Sequence, residues 1–176
     1  GRRDTCIPSS PCRYPSASFQ NIPNASSRRH PRSNIPWESA SKSQSAFDPA
    51  QEGDKAFYRP SNDTIVLPMM SQFAETAEYY STAFHEMVHS TGHSNRLNRL
   101  TQTAHFGNEE YSKEELVAEI GASALVNHAG LETEKSFRNS TAYVQSWLNV
   151  LKNDKRFIVS ASGKAEKAVE LILAGA

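Results

Sequence analysis

The segment His85-Glu86-Met87-Val88-His89 limits what this chain can fold into more than any other. From Thr76 to Ser90 there is no glycine or proline, and Tyr80, Phe84, Met87 and Val88 recur at i, i+4, i+7 and i+8, the spacing of one buried helix face. Gly92 follows as a helix stop suited to the left-handed C′ position. On such a helix the two histidines, four residues apart, project one above the other from a neighbouring face that also carries Thr82. Their ring nitrogens can share one tetrahedral metal ion at about 2.0–2.1 Å. Glu86 lies about 100° further round the helix, where it flanks the ion without ligating it. There it can take a proton from water attacking a carbonyl. The plainer alternative is two surface histidines on an amphipathic helix; the helix, its stop and Glu86 together favour a metal.

The 176 residues give room for one ordinary domain, with space for a tail. Nineteen basic and nineteen acidic residues cancel, so no global field argues for nucleic acid or a membrane surface. The charge is unevenly placed: Arg2, Arg3, Arg13, Arg28, Arg29 and Arg32 crowd the first segment, while acids dominate from Glu75 to Glu119. No apolar run approaches the ~18 residues of a membrane span, and the basic N-terminus lacks the apolar stretch of a secretory signal. A cytoplasmic protein is expected, with Cys6 and Cys12 as free thiols.

Residues 1–47 are rich in Ser, Pro, Arg and Asn and read as an extended segment or linker, with Ile35-Pro36-Trp37 as its one anchor. Residues 48–176 read as the folded domain. Ala56-Phe57-Tyr58 and Thr64-Ile65-Val66-Leu67 are short β-type runs around the turn sequence Pro60-Ser61-Asn62-Asp63, which predicts an antiparallel hairpin ended by Pro68. The HEMVH helix comes next. A second helix is expected from Glu109 or Ser112 to about Val126, ending before Gly130. A third carries Tyr143, Val144, Trp147, Leu148 and Leu151, and a last one runs around Ala165 to Leu173. The fold class is therefore α+β, a small antiparallel sheet with about four helices.

A catalytic zinc site takes three protein ligands and keeps one position open. A third histidine six residues after His89 would make a metzincin, but that position is Asn95. His93 comes two residues early and belongs to the turn or the rim of the site. The second helix offers better donors: Glu115, Ala118, Glu119 and Ala122 share one face, and its small residues let another helix approach closely. Glu115 is the favoured ligand, with Glu119 accepting the second ring N–H of a ligating histidine; the reverse assignment stays open. So does a structural reading in which Ser112-Lys113-Glu114-Glu115 is a capping box, although Asn108 is an equally good N-cap and would put Glu115 two turns inside.

His85–His93 read as HEMVHSTGH, then Arg96-Leu97-Asn98-Arg99, then Tyr111-Ser112-Lys113-Glu114-Glu115-Leu116-Val117-Ala118-Glu119-Ile120-Gly121 resemble the zincin-like metallopeptidase domain of ArdC/TraC-type antirestriction proteins, which are carried on mobile elements. The hairpin Ala56–Pro68 and the stretch Ala142–Leu148 fit the same pattern, so the resemblance covers about Lys55 to Leu173. It implies one metal ion, zinc or another divalent metal, held by His85, His89 and an acid of the EELVAE stretch, a gluzincin-like arrangement, with Glu86 as the catalytic residue. Full-length relatives carry an N-terminal single-stranded-DNA-binding domain that residues 1–47 do not resemble. The expected partner is thus a peptide or protein substrate, with DNA association open and no membrane.

The main expectation is a zinc-dependent peptidase whose extended substrate pairs with the exposed edge of the strand Thr64–Leu67. Tyr79, Tyr80, His93 and Tyr143 are the candidates for assisting the oxyanion. The rival is a non-catalytic, metal-stabilised binding module that protects DNA or inhibits restriction; a weaker third idea is a regulatory fragment of a larger replication protein.

Overall fold

The computed structural model describes residues 46–48, 53–100, 109–151 and 154–174. Cys6, Cys12, the N-terminal arginines, Trp37 and Asn108 lie outside the described residues, as does nearly all of the segment expected to be extended. Three short strands, β1 (Ala46–Asp48), β2 (Phe57–Arg59) and β3 (Thr64–Val66), are followed by four helices: α1 (Thr76–Thr91), α2 (Glu109–His128), α3 (Glu134–Val150) and α4 (Lys155–Ala174). A single 3-10 turn at Met70–Gln72 links sheet to helices. None of the helices among the described residues is long and apolar enough to cross a membrane.

β2 and β3 form the expected antiparallel hairpin, with Tyr58 opposite Ile65. Asp63 closes its turn at φ 53°, a left-handed conformation that aspartate tolerates because its short side chain can bond locally. β1 adds a strand parallel to β3, giving the order β1-β3-β2. That order corrects the expectation of an exposed β3 edge. Both sides of β3 already hold a strand, so an incoming chain has no free ladder there and the sheet edges belong to β1 and β2.

α1 buries the expected stripe of Tyr80, Phe84, Met87 and Val88, and much more: every residue from Tyr80 to Thr91 is buried. The helix is covered by the hairpin on one side and by α2 and α4 on others, so little of it is left as a polar, solvent-facing stripe. α2 is the hub of the helical layer and packs against the other three helices. It ends as anticipated before Gly130, whose φ of 66° sets up a Schellman motif: Gly130 N–H donates to Asn127 and Leu131 N–H to Val126. Thr133 then caps α3, its hydroxyl oxygen accepting from the Ser136 N–H.

Gly92, in contrast, caps α1 at φ −77°, so it is not the left-handed stop the sequence suggested. Its lack of a side chain serves packing, because a Cβ there would stand 2.8 Å from Leu100 Cγ and 3.1 Å from the His89 carbonyl oxygen. Gly121 on α2 plays the same part between helices, where a Cβ would stand 2.8 Å from Val88 Cγ2. We expect Gly121→Ala to destabilise the protein by about 1–3 kcal/mol through overpacking. Adding Val88→Ala should return part of that loss; equal and additive losses in denaturant titrations would show that the contact does not set the helix separation.

Candidate metal centre

His85 and His89 sit on successive turns of α1, and their Nε2 atoms face each other at 3.0 Å. Glu115 approaches from α2, with Oε2 3.5 Å from His85 Nε2 and Oε1 3.4 Å from His89 Nε2. Three donors at these separations mark one face of a small tetrahedron, since ligands about 2.05 Å from a common centre stand about 3.3 Å apart. This is the one group of three or more candidate ligands among the described residues. All three are buried, with 1–2% of their surface exposed.

Each histidine has a carboxylate behind it. His85 Nδ1 lies 3.5 Å from Glu119 Oε1, and His89 Nδ1 lies 3.5 Å from Glu114 Oε1. A carboxylate at Nδ1 favours the tautomer protonated there, which leaves each Nε2 lone pair directed at the shared centre. With Nδ1 protonated on both rings, two Nε2 lone pairs and a carboxylate converge on one point, an arrangement that a shared cation satisfies. Oε1 of Glu115 is buried with no hydrogen-bond partner, the state of an atom shaped for a ligand bond. The residues therefore fit a divalent ion, and two imidazoles with one carboxylate suit zinc or another first-row metal.

The titration behaviour expresses the same demand. Burial alone would pull His89 down, but the carboxylates of Glu114 and Glu115 override it and push the imidazole up to about 10. Burial pulls Glu115 up, and His85 and His89 reverse this to hold it well below the ordinary carboxylate range. Glu86 is 1% exposed, and its charge acts directly on His89.

The helix start settles the rival reading of Glu115. α2 begins at Glu109, so Glu115 lies nearly two turns inside and is no capping-box residue. Glu114 was missed by the sequence reading, as was Arg99. Two ligating histidines need two outer acceptors, and in Glu114-Glu115-Leu116-Val117-Ala118-Glu119 a third acid was there to serve the second ring.

The residues expected at the rim are less concentrated. His93 is part of the turn after α1, its Nδ1 accepting from the Asn95 N–H. Tyr143 is half-buried on α3. Tyr80 belongs to the core, its ring 6.2 Å from that of Phe84, and Tyr79 meets Phe73 and Tyr80 edge-on. None of these four belongs to the three-residue cluster.

The turn after α1 is instead held by two arginines. Arg96 donates from Nε to the Ser90 carbonyl at 2.7 Å and grips both carboxylate oxygens of Asp63. Burial works to raise the Asp63 carboxyl, but Arg96 and the Tyr58 hydroxyl hold it below its usual range. The hairpin turn is thereby pinned to the C-terminal end of α1.

Fold and site together define the class. Residues 40–164 match the model of the zincin-like metallopeptidases, and the chain belongs to that family. Among its relatives are two DNA primases TraC of Escherichia coli. One is 43% identical over 123 residues, covering 69% of this chain and 8% of the primase. The other is 45% identical over 124 residues, covering 70% of this chain and 11% of the primase. The antirestriction protein ArdC of plasmid R388, solved with Mn(II) bound, superposes with a TM-score of 0.65 at 35% identity. That match covers 80% of this chain and 50% of ArdC. The chain thus spans a small part of the primases and half of ArdC.

The geometry ranks the acids. Glu115→Ala is expected to abolish tight binding of a divalent ion, and Glu119→Ala to weaken it by about 10–100-fold. Titration against a competing chelator measures both; the reverse order would transfer the third donor to Glu119.

Proposed function

We propose that this domain is a metal-dependent hydrolase of peptide bonds, holding one zinc ion through His85, His89 and Glu115 with Glu86 as general base, within an antirestriction-type protein of a mobile element that acts in the cytoplasm. The observation that carries this reading is the placement of Glu86: a fourth acid, buried beside the His85/His89/Glu115 cluster, that the donor set does not need. A purely structural site has no use for it.

Bound in this cluster, a divalent ion supplies Lewis acidity and brings the pKa of a coordinated water down toward about 7. The chain's own part is to position and to move protons. Glu114 and Glu119 stand 3.5 Å behind the two imidazole Nδ1 atoms, where a carboxylate keeps each ring's Nε2 turned toward the centre. Glu86 accepts the proton of the attacking water and returns it to the nitrogen of the departing amine. The substrate in this reading is a peptide or protein. An extended one would add to a sheet edge of β1 or β2, since β3 is occupied on both sides. DNA enters the reading only through the relatives' names and carries no residue of this domain.

One observation favours a second reading, the metal-stabilised binding module. Glu86 and the three donors are 1–2% exposed, a depth of burial that suits a metal held for stability.

Glu86→Gln separates the two. The variant is expected to fold and to keep one zinc per chain by elemental analysis, while losing hydrolysis of any substrate the wild type cleaves, because a neutral amide is too weak a base. Full retention of activity would favour the binding module, and loss of the metal would make Glu86 structural. A wild-type chain that takes up no divalent ion would overturn both readings.

A further inference from the structure

We infer that Arg99 is a positioning residue for the metal centre, acting through Glu114 on His89. The inference rests on the proposed metal reading and extends it outward to a residue that touches none of the donors.

The contacts are specific. Arg99 presents its fork to Glu114, Nη2 to Oε1 at 2.8 Å and Nε to Oε2 at 3.2 Å. The same Glu114 Oε1 faces His89 Nδ1 at 3.5 Å. The other side of the guanidinium is fixed to α1, with Nη2 on the Val88 carbonyl at 2.8 Å and Nη1 on the Thr91 hydroxyl at 2.8 Å. Both Arg99 and Glu114 are nearly buried, with side chains 8% and 10% exposed.

A carboxylate gripped at both oxygens cannot swing, so the position of Glu114 Oε1 behind His89 Nδ1 is set by the arginine. Arg99 draws that geometry from α1 itself, the helix that carries both histidines. The C-terminal carbonyls of α1, the outer acceptor on α2 and the ligand ring are therefore one rigid unit. Gly92 makes room for it, since a Cβ there would stand 3.3 Å from Arg99 Nη2.

Arg99 also caps a helix, so the test must separate position from stability. Zinc affinity is measured by chelator competition for wild type, Arg99→Gln, Glu114→Gln and the double variant, alongside thermal unfolding of each metal-free form. Arg99→Gln and Glu114→Gln are each expected to weaken zinc by about 10–100-fold, and the double variant to be no weaker than the worse single one. Thermal stability should still fall further in the double variant, because the contacts to Val88 and Thr91 are lost independently of Glu114. Arg99→Lys keeps the charge without the fork and should recover only part of the affinity. Should Arg99→Gln fail to fold, Arg99→Lys with and without Glu114→Gln gives the same cycle. Zinc affinity within about twofold of wild type in Arg99→Gln, or additive losses in the double variant, would overturn the inference and leave Arg99 a helix cap. If the wild type itself takes up no zinc, the metal reading fails first and this inference with it.

Discussion

The packing of α1 against α2 carries charge through the middle of the core. Glu86, Glu114, Glu115 and Glu119 are buried with His85 and His89, at 1–9% exposure, where apolar contact would normally be the whole interaction. Each buried ion costs several kcal/mol of lost hydration unless partners replace the water. Arg99 does so for Glu114, and the imidazole Nδ1 atoms face Glu119 and Glu114. What is left over is a pair of facing Nε2 atoms and the Glu115 carboxylate, three donors that converge on one point and suit a shared cation.

How far this was legible in the sequence depends on whether the signal was periodic. Tyr80, Phe84, Met87 and Val88 repeat at helical spacing, and the Glu115/Glu119 face repeats at i, i+4, so the two helices and their facing surfaces could be read from residue order. The hairpin was equally readable from Pro60-Ser61-Asn62-Asp63. β1 was not, because Ala46-Phe47-Asp48 is too short to show alternation and pairs with a strand sixteen or more residues away in parallel register, which no turn sequence announces. Gly92 shows the opposite failure: its place after the helix was right and its conformation was not, since side-chain crowding by Leu100 can require a glycine as firmly as a positive φ does. Glu114 and Arg99 escaped for a further reason. Outer acceptors are chosen by the direction of ring nitrogens in space, and neighbouring positions on one helix face different partners: Glu115 meets both Nε2 atoms, while Glu114, about 100° round, meets the back of His89.

Three separate devices fix the distance between the donors, and they act at different points along α1. Gly121 lets α2 close to contact with Val88, the residue immediately before His89. Arg99 ties Val88 and Thr91 to Glu114 across the same gap. Arg96 joins the Ser90 carbonyl to Asp63 and so fixes the end of α1 against the hairpin. Val88, Ser90 and Thr91 flank His89 in sequence, so the backbone that carries that histidine is tied to α2, to the turn and to the hairpin. His85, a turn earlier, is placed by the continuity of the helix and faces Glu119. A change that loosens the turn after α1 reaches the centre through Glu114 and His89. Metal affinity in this domain is accordingly a property of the turn at residues 92–99 as much as of the donors, because that turn decides how closely α1 and α2 can hold their charges together.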